Sequence, residues 1–134
     1  MDVHADTNVK YKIMIVDDST SFIEVALRLI SRYPKFSVSD IAFSADEGLV
    51  LTTKKEPDVI LLDIEMPEKS GLDTIQQFKE LVPGVKIIIL TLFDNPIYRA
   101  KATQNGADGF ISKRDFVREL IPALEQCLEI SNLG

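Results

Sequence analysis

Polar side chains stand directly after short apolar runs at four places. Asp17 and Asp18 follow Tyr11 to Val16, Asp63 follows Val59 to Leu62, Thr91 follows Val85 to Leu90, and Lys113 follows Gly109 to Ser112. If those runs are parallel strands, acid, acid, hydroxyl and ammonium meet at one edge of a sheet. Carboxylates gathered there repel one another unless a cation sits among them, so the pattern asks for a divalent metal, for Lys113, or for both. Oxygen-only donors suit Mg²⁺ best. Each residue alone has a plain structural explanation: acids close strands, Thr91 favours a strand, and Lys113 is a solvated cation. It is their joint occurrence at successive strand ends that points to a site.

The positioning elements follow from the period of the apolar residues. Tyr11 to Val16, Val38 to Phe43, Val59 to Leu62, Val85 to Leu90 and Gly109 to Ser112 are strand-length runs rich in Ile, Val and Phe. Between and after them lie segments with helical spacing: Phe22, Val25, Leu29 and Ile30; Leu49 and Val50; Leu72, Ile75, Phe78 and Val82; Phe116, Leu120, Leu124 and Leu128. A helix from Pro96 to Gln104 completes the alternation. Helix starts are expected at Ser21 with Glu24, Ser44 with Glu47, Asn95 before Pro96, and Asp115. Val59 to Leu62 and Ile87 to Leu90 are continuously apolar, as strands covered on both faces by helices must be. The expected architecture is a doubly wound (βα)5 α/β domain with its functional crevice at the carboxyl ends of the strands.

At 134 residues, with 46% hydrophobic and 27% charged residues, the chain has the size and composition of one globular domain. The expected division is a leader over 1–10, one domain over 11–130 and a tail over 131–134. A net charge of −6, with no basic cluster, opposes direct nucleic-acid binding. No run of about 18 apolar residues offers a membrane span, and the leader has no apolar signal region, so a cytoplasmic protein is expected. The single cysteine, Cys127, falls on the apolar stripe of the last helix and is expected to be packing. The single histidine, His4, lies in the leader, which excludes a histidine-rich metal site.

Val16-Asp17-Asp18, Leu61-Leu62-Asp63-Ile64-Glu65-Met66-Pro67, Gly71, Leu90-Thr91 and Gly106 through Lys113 resemble the motifs of bacterial response-regulator receiver domains. The likeness extends from about Tyr11 to Leu128. The run through Thr91, Gly106, Ala107, Gly109, Phe110 and Lys113 is most similar to receivers of NarL/FixJ-type (LuxR-type) transcriptional regulators. One departure is Arg114, where many receivers have proline after the lysine, so a cis peptide there lacks its usual support.

The resemblance implies a CheY-like, flavodoxin-like five-stranded parallel sheet in strand order 2-1-3-4-5. It implies that Asp63 takes a phosphoryl group from a histidine kinase or a small acyl phosphate. Mg²⁺, or Mn²⁺ in its place, is expected on Asp17, Asp18, Asp63 and the Glu65 backbone carbonyl, with no demand on the Glu65 side chain. Thr91 and Lys113 are expected to hold phosphoryl oxygens, and Thr91 and Phe110 to switch the face made of the fourth helix, fifth strand and fifth helix. Glu65 and Phe93 occupy positions that border the path of the hydrolytic water in this family. Met66-Pro67 and Gly71 are expected to shape the loop after Asp63. The implied partners are a sensor histidine kinase, a helix-turn-helix output domain absent from this chain, and a second copy in a phosphorylation-linked homodimer.

Three other readings are weaker. A small-molecule phosphatase using Asp63 and Glu65 lacks a substrate-selecting insertion. A flavin binder of the same fold class faces an acidic first loop that repels its phosphate. A silent interaction module would lack an acceptor, ligand or lysine, and all are present.

Overall fold

The computed structural model describes residues 10–66 and 71–130. The expected leader and tail, His4 and Pro67 therefore lie outside the described residues. The elements are β1 (Tyr11–Val16), α1 (Thr20–Ile30), β2 (Phe36–Ala42), α2 (Ala45–Lys55), β3 (Val59–Asp63), α3 (Gly71–Leu81), β4 (Lys86–Thr91), α4 (Pro96–Gln104), β5 (Gly109–Ser112), a 3₁₀ turn (Lys113–Asp115) and α5 (Phe116–Cys127). All neighbouring strands are parallel, in the order β2-β1-β3-β4-β5. The expected topology is the observed one.

Alternation along the strands builds two cores. Ile13, Ile15, Val59, Leu61, Ile88 and Leu90 face α1 and α5, whose Ile23, Leu29, Phe116, Leu120 and Leu124 complete that layer. Met14, Val16, Ile60, Leu62, Ile87 and Ile89 face α2, α3 and α4, which contribute Ala45, Ile75, Phe78 and Ala102. Both faces of β3 are sealed, which is why its sequence is apolar at every position before Asp63.

Several local expectations are corrected. The strand β2 begins at Phe36 and ends before Phe43, which is half exposed; its pairing with β1, starting at Tyr11 opposite Phe36, sets the limits. The register then shifts between Ile13 and Met14, leaving Ser39 as the extra residue. The strand β4 runs one residue later than expected and takes in Thr91. In α1 the inward residues are Ile23, Ala26, Leu29 and Ile30, and Val25 is 40% exposed. In α2 Ala45, Gly48 and Thr52 are buried, Leu49 is half buried against the same core, and Val50 is 57% exposed. Close approach explains the second case: a Cβ on Gly48 would stand 3.0 Å from Val16 Cγ2 and 3.3 Å from Phe78 Cζ, so any larger residue here would have to push those side chains back by a few tenths of an ångström.

Helix caps divide the same way. Ser44 accepts from the Glu47 N–H at 3.1 Å while the Glu47 carboxylate accepts from the Phe43 N–H at 2.7 Å. Asn95 accepts from the Ile97 N–H at 2.7 Å, with Pro96 in the first turn. The cap of α1 is Ser19, not Ser21, because the Asp17 carboxylate accepts the Ser19 N–H at 2.8 Å and turns the chain two residues sooner. Asp115 stands at the start of α5 without a side-chain cap bond, its carboxylate being paired with Arg118 at 3.1 Å.

Candidate functional site

Parallel pairing brings the carboxyl ends of β1, β3, β4 and β5 to one edge, and with them Asp17, Asp18, Asp63, Thr91 and Lys113. Asp17, Asp18 and Asp63 each offer a carboxylate oxygen within 4.8 Å of the others. Asp17 and Asp63 are buried and Asp18 is exposed, so the cluster has a dry floor and one solvated rim. Lys113 Nζ lies 2.8 Å from Asp17 Oδ2 and 3.6 Å from Asp63 Oδ2. The shorter contact lacks the angular geometry of a hydrogen bond, so it is ionic, and Asp17 Oδ2 is a buried oxygen without a hydrogen-bond partner.

Asp63 Oδ1 accepts the Glu65 N–H at 3.0 Å, leaving Oδ2 toward Lys113. Burial is the largest influence on Asp63 and raises its pKa from 3.8 to about 6, helped by the charges of Asp17 and Glu65 and opposed by the Glu65 N–H and Lys113. At neutral pH the carboxylate form still prevails. An open cleft of about 470 Å³ gives access to it, lined among others by Asp18, Phe22, Asp63, Glu65, Leu92 and Lys113.

The donor set fits a hard divalent cation: three clustered carboxylates that offer oxygen alone, with no histidine or cysteine in the group among the described residues. The Glu65 carboxylate is engaged elsewhere. Thr91, fully buried, donates its hydroxyl to Glu65 Oε2, which also accepts the Phe93 N–H at 3.3 Å, while Oε1 accepts the Leu92 N–H at 2.9 Å. The Thr91 oxygen in turn accepts the Phe93 N–H at 2.9 Å.

Residues 13–125 match the response regulator receiver domain family. The chain belongs to that family. The nitrate/nitrite response regulator NarL of Escherichia coli K12 is 30% identical over 114 residues, covering 85% of this chain and 53% of NarL. A LuxR-family two-component response regulator from Aurantimonas sp. SI85-9A1 superposes with a TM-score of 0.84 at 29% identity, covering 90% of this chain and 86% of that one. A chain of the CheX–CheY–BeF3–Mg²⁺ complex of Borrelia burgdorferi gives 0.85 at 20% identity, covering 92% and 93%, a likeness of fold alone. The receiver spans about half the length of curated relatives such as NarL and DegU.

Within this receiver domain, Phe110 is half buried and lies under the Arg99 guanidinium, whose carbon is 4.6 Å from the ring centroid. Asp94 holds that guanidinium at 3.1 Å. The Lys113–Arg114 peptide is trans, as no cis peptide occurs among the described residues. Asp108, although inside the Gly106-to-Lys113 motif, serves the opposite edge of the sheet, accepting from the Ile87 N–H at 2.9 Å and pairing with Lys79 at 2.6 Å. Cys127 is buried, and burial pushes its thiol up to about 11, which keeps it protonated and unreactive.

Two contacts were not read from the sequence. Phe22 places its ring 4.5 Å below Lys113 Nζ and packs edge-on against Phe116 at 4.7 Å. An aromatic residue four positions after Asp18, on the helix that faces the last one, was the available signal. The other is the Glu65 carboxylate, whose place two residues beyond Asp63 gave position but not partner.

Proposed function

We propose that this receiver domain is a phosphorylation switch in which Asp63 accepts a phosphoryl group. The observation that carries the reading is the convergence of Asp17, Asp18 and Asp63 within 4.8 Å, closed by Lys113 at 2.8 and 3.6 Å. Asp63 is ionised at neutral pH and needs no base; its carboxylate attacks phosphorus in line, and the bond from phosphorus to the donor's nitrogen or acyl oxygen breaks as the acyl phosphate forms. Asp17, Asp18, Asp63 and the Glu65 backbone carbonyl would hold Mg²⁺, with Mn²⁺ as a substitute, and the bound ion supplies positive charge against the phosphoryl oxygens. Lys113 neutralises Asp63 before transfer and a phosphoryl oxygen after it, while Thr91 donates to another.

Phosphorylation adds about −1.5 to −2 charges beside Asp17 and Asp18. Drawing Thr91 toward that charge pulls on the β4–α4 loop, and Phe110, half buried beneath Arg99, is positioned to change rotamer with it. The face of α4, β5 and α5 then reports the state to a partner. As the resemblance to response-regulator receivers implies, the donor is a sensor histidine kinase; the transcriptional regulators among the relatives support a transcriptional output, through a helix-turn-helix unit or a phosphorylation-linked homodimer. The functional unit is residues 11–130, acting in the cytoplasm; no described helix is long and apolar enough to cross a membrane.

The test is incubation with acetyl phosphate or beryllofluoride, with and without Mg²⁺, followed by intact mass and backbone NMR. A Mg²⁺-dependent adduct, with shifts spreading from Asp63 to Thr91 and Phe110, is expected. No adduct and no shift under any of these conditions would sink the reading.

A further inference from the structure

We propose that the Glu65 carboxylate is an internal stand-in for the phosphoryl group, occupying in the resting domain the donors that a phosphoryl oxygen at Asp63 has to win. Three donors converge on this one side chain: the Thr91 hydroxyl, the Leu92 N–H at 2.9 Å and the Phe93 N–H at 3.3 Å. The Thr91 hydroxyl has one hydrogen to give, and the charged Glu65 oxygen is a stronger acceptor than the Phe93 carbonyl at 3.2 Å. Glu65 and Leu92 also line the cleft that opens onto Asp63 and Lys113. An anion and the Glu65 carboxylate therefore compete for the same loop, and their charges repel.

The inference rests on the phosphoacceptor reading of Asp63. Thr91 cannot serve two anions with one proton, so Glu65 must leave before Thr91 turns to a new acceptor. Its departure also frees the Leu92 amide and leaves that of Phe93 with the Thr91 oxygen at 2.9 Å as its acceptor, loosening a loop in which Leu92 is 54% and Phe93 64% exposed. Glu65 is thus a threshold element: it stabilises the resting loop and weakens capture of an anion at Asp63. It touches neither the transferred atoms nor the donor, and its role is positional.

The experiment compares the wild-type chain with E65A, E65Q and E65D. Amide hydrogen exchange is measured without metal, and beryllofluoride is titrated at fixed Mg²⁺. In E65A the Leu92 amide is expected to exchange about tenfold faster or more, and in E65A and E65Q, which both lack the competing charge, the half-saturating beryllofluoride concentration is expected to fall about tenfold. E65D keeps the charge but loses a methylene of reach, and is expected to follow E65A. Unchanged Leu92 exchange in E65A, unchanged half-saturation in both E65A and E65Q, or wild-type behaviour of E65D overturns the stand-in role while leaving phosphorylation of Asp63 intact. Silence of the wild type and of every variant removes the phosphoacceptor reading and this inference with it. Silence of the wild type alone, with a response in E65A, supports both. Circular dichroism of each variant guards against loss of fold, and E65Q substitutes if E65A unfolds.

Discussion

On the β1–β3 side of the cleft, Asp17 and Asp63 are buried, each directly after a strand residue, Val16 or Leu62, with no exposed surface. On the β4–α4 side, Ala102 is the buried residue of α4, Ile97 and Tyr98 face solvent, and Leu92 and Phe93 project from the preceding loop. The first region fixes charge; the second has little apolar packing to hold it. Elements that move are drawn from the weakly packed end of a structure. The arrangement lets a charge change on a rigid floor displace a lightly held flank without disturbing the core. Polar latches, Glu65 on the loop and Arg99 on Phe110, replace packing on that flank.

The strongest way to break the comparison is on the floor. Asp63→Asn is expected to abolish acyl-phosphate labelling completely with the fold retained, as read by intact mass and circular dichroism; continued labelling would falsify the acceptor assignment. Next in size, Lys113→Ala leaves two buried carboxylates without their cation, and urea unfolding in metal-free buffer should show a loss of about 3 kcal/mol. Added Mg²⁺ is expected to restore part of that loss. In the same variant, beryllofluoride shifts should appear near Asp63 but fail to reach Phe110; full propagation would show that the lysine does not link floor to flank.

Smaller effects sharpen the contrast. Asp63 holds its proton more tightly in the fold, at about 6 against 3.8, so between those values the folded chain binds more protons than the unfolded one. Stability in metal-free buffer should therefore fall as pH rises from about 4 to 6, by on the order of 1 kcal/mol after allowance for solvent screening, and Asp63→Asn should flatten that slope. A wild-type profile as flat as the variant's would contradict the cause given for the shift. Smallest of all, Arg99→Ala removes the cation over Phe110 and should cost about 0.5 to 1 kcal/mol. Its signature is faster exchange of Phe110 between environments in NMR, with the floor resonances unmoved.

The floor was also the more legible region. Strand ends follow from apolar runs, and a parallel sheet necessarily gathers them, so Asp17, Asp18, Asp63, Thr91 and Lys113 could be placed from the chain alone. The limits of β2 depended on pairing with β1, which a single strand's pattern does not encode. The inward face of α2 depended on Gly48 clearing Val16 and Phe78, whereas periodicity weighed only the larger Leu49 and Val50. Ser19 prevailed over Ser21 because Asp17 bends the intervening backbone. The Glu65 carboxylate and the Phe22 ring meet partners 26 and 91 residues away in sequence, and spacing within one segment says nothing of either.

The strand order gives Lys113 a mechanical duty. It leaves the sheet from β5, an edge strand, and reaches across β4 to carboxylates on the two strands beyond. Its four-carbon stem is a tether between rim and centre. Any outward strain on β5 is felt at Asp17 and Asp63 as a lengthening ion contact, so a force applied at the edge of the sheet is converted directly into electrostatic work at its middle.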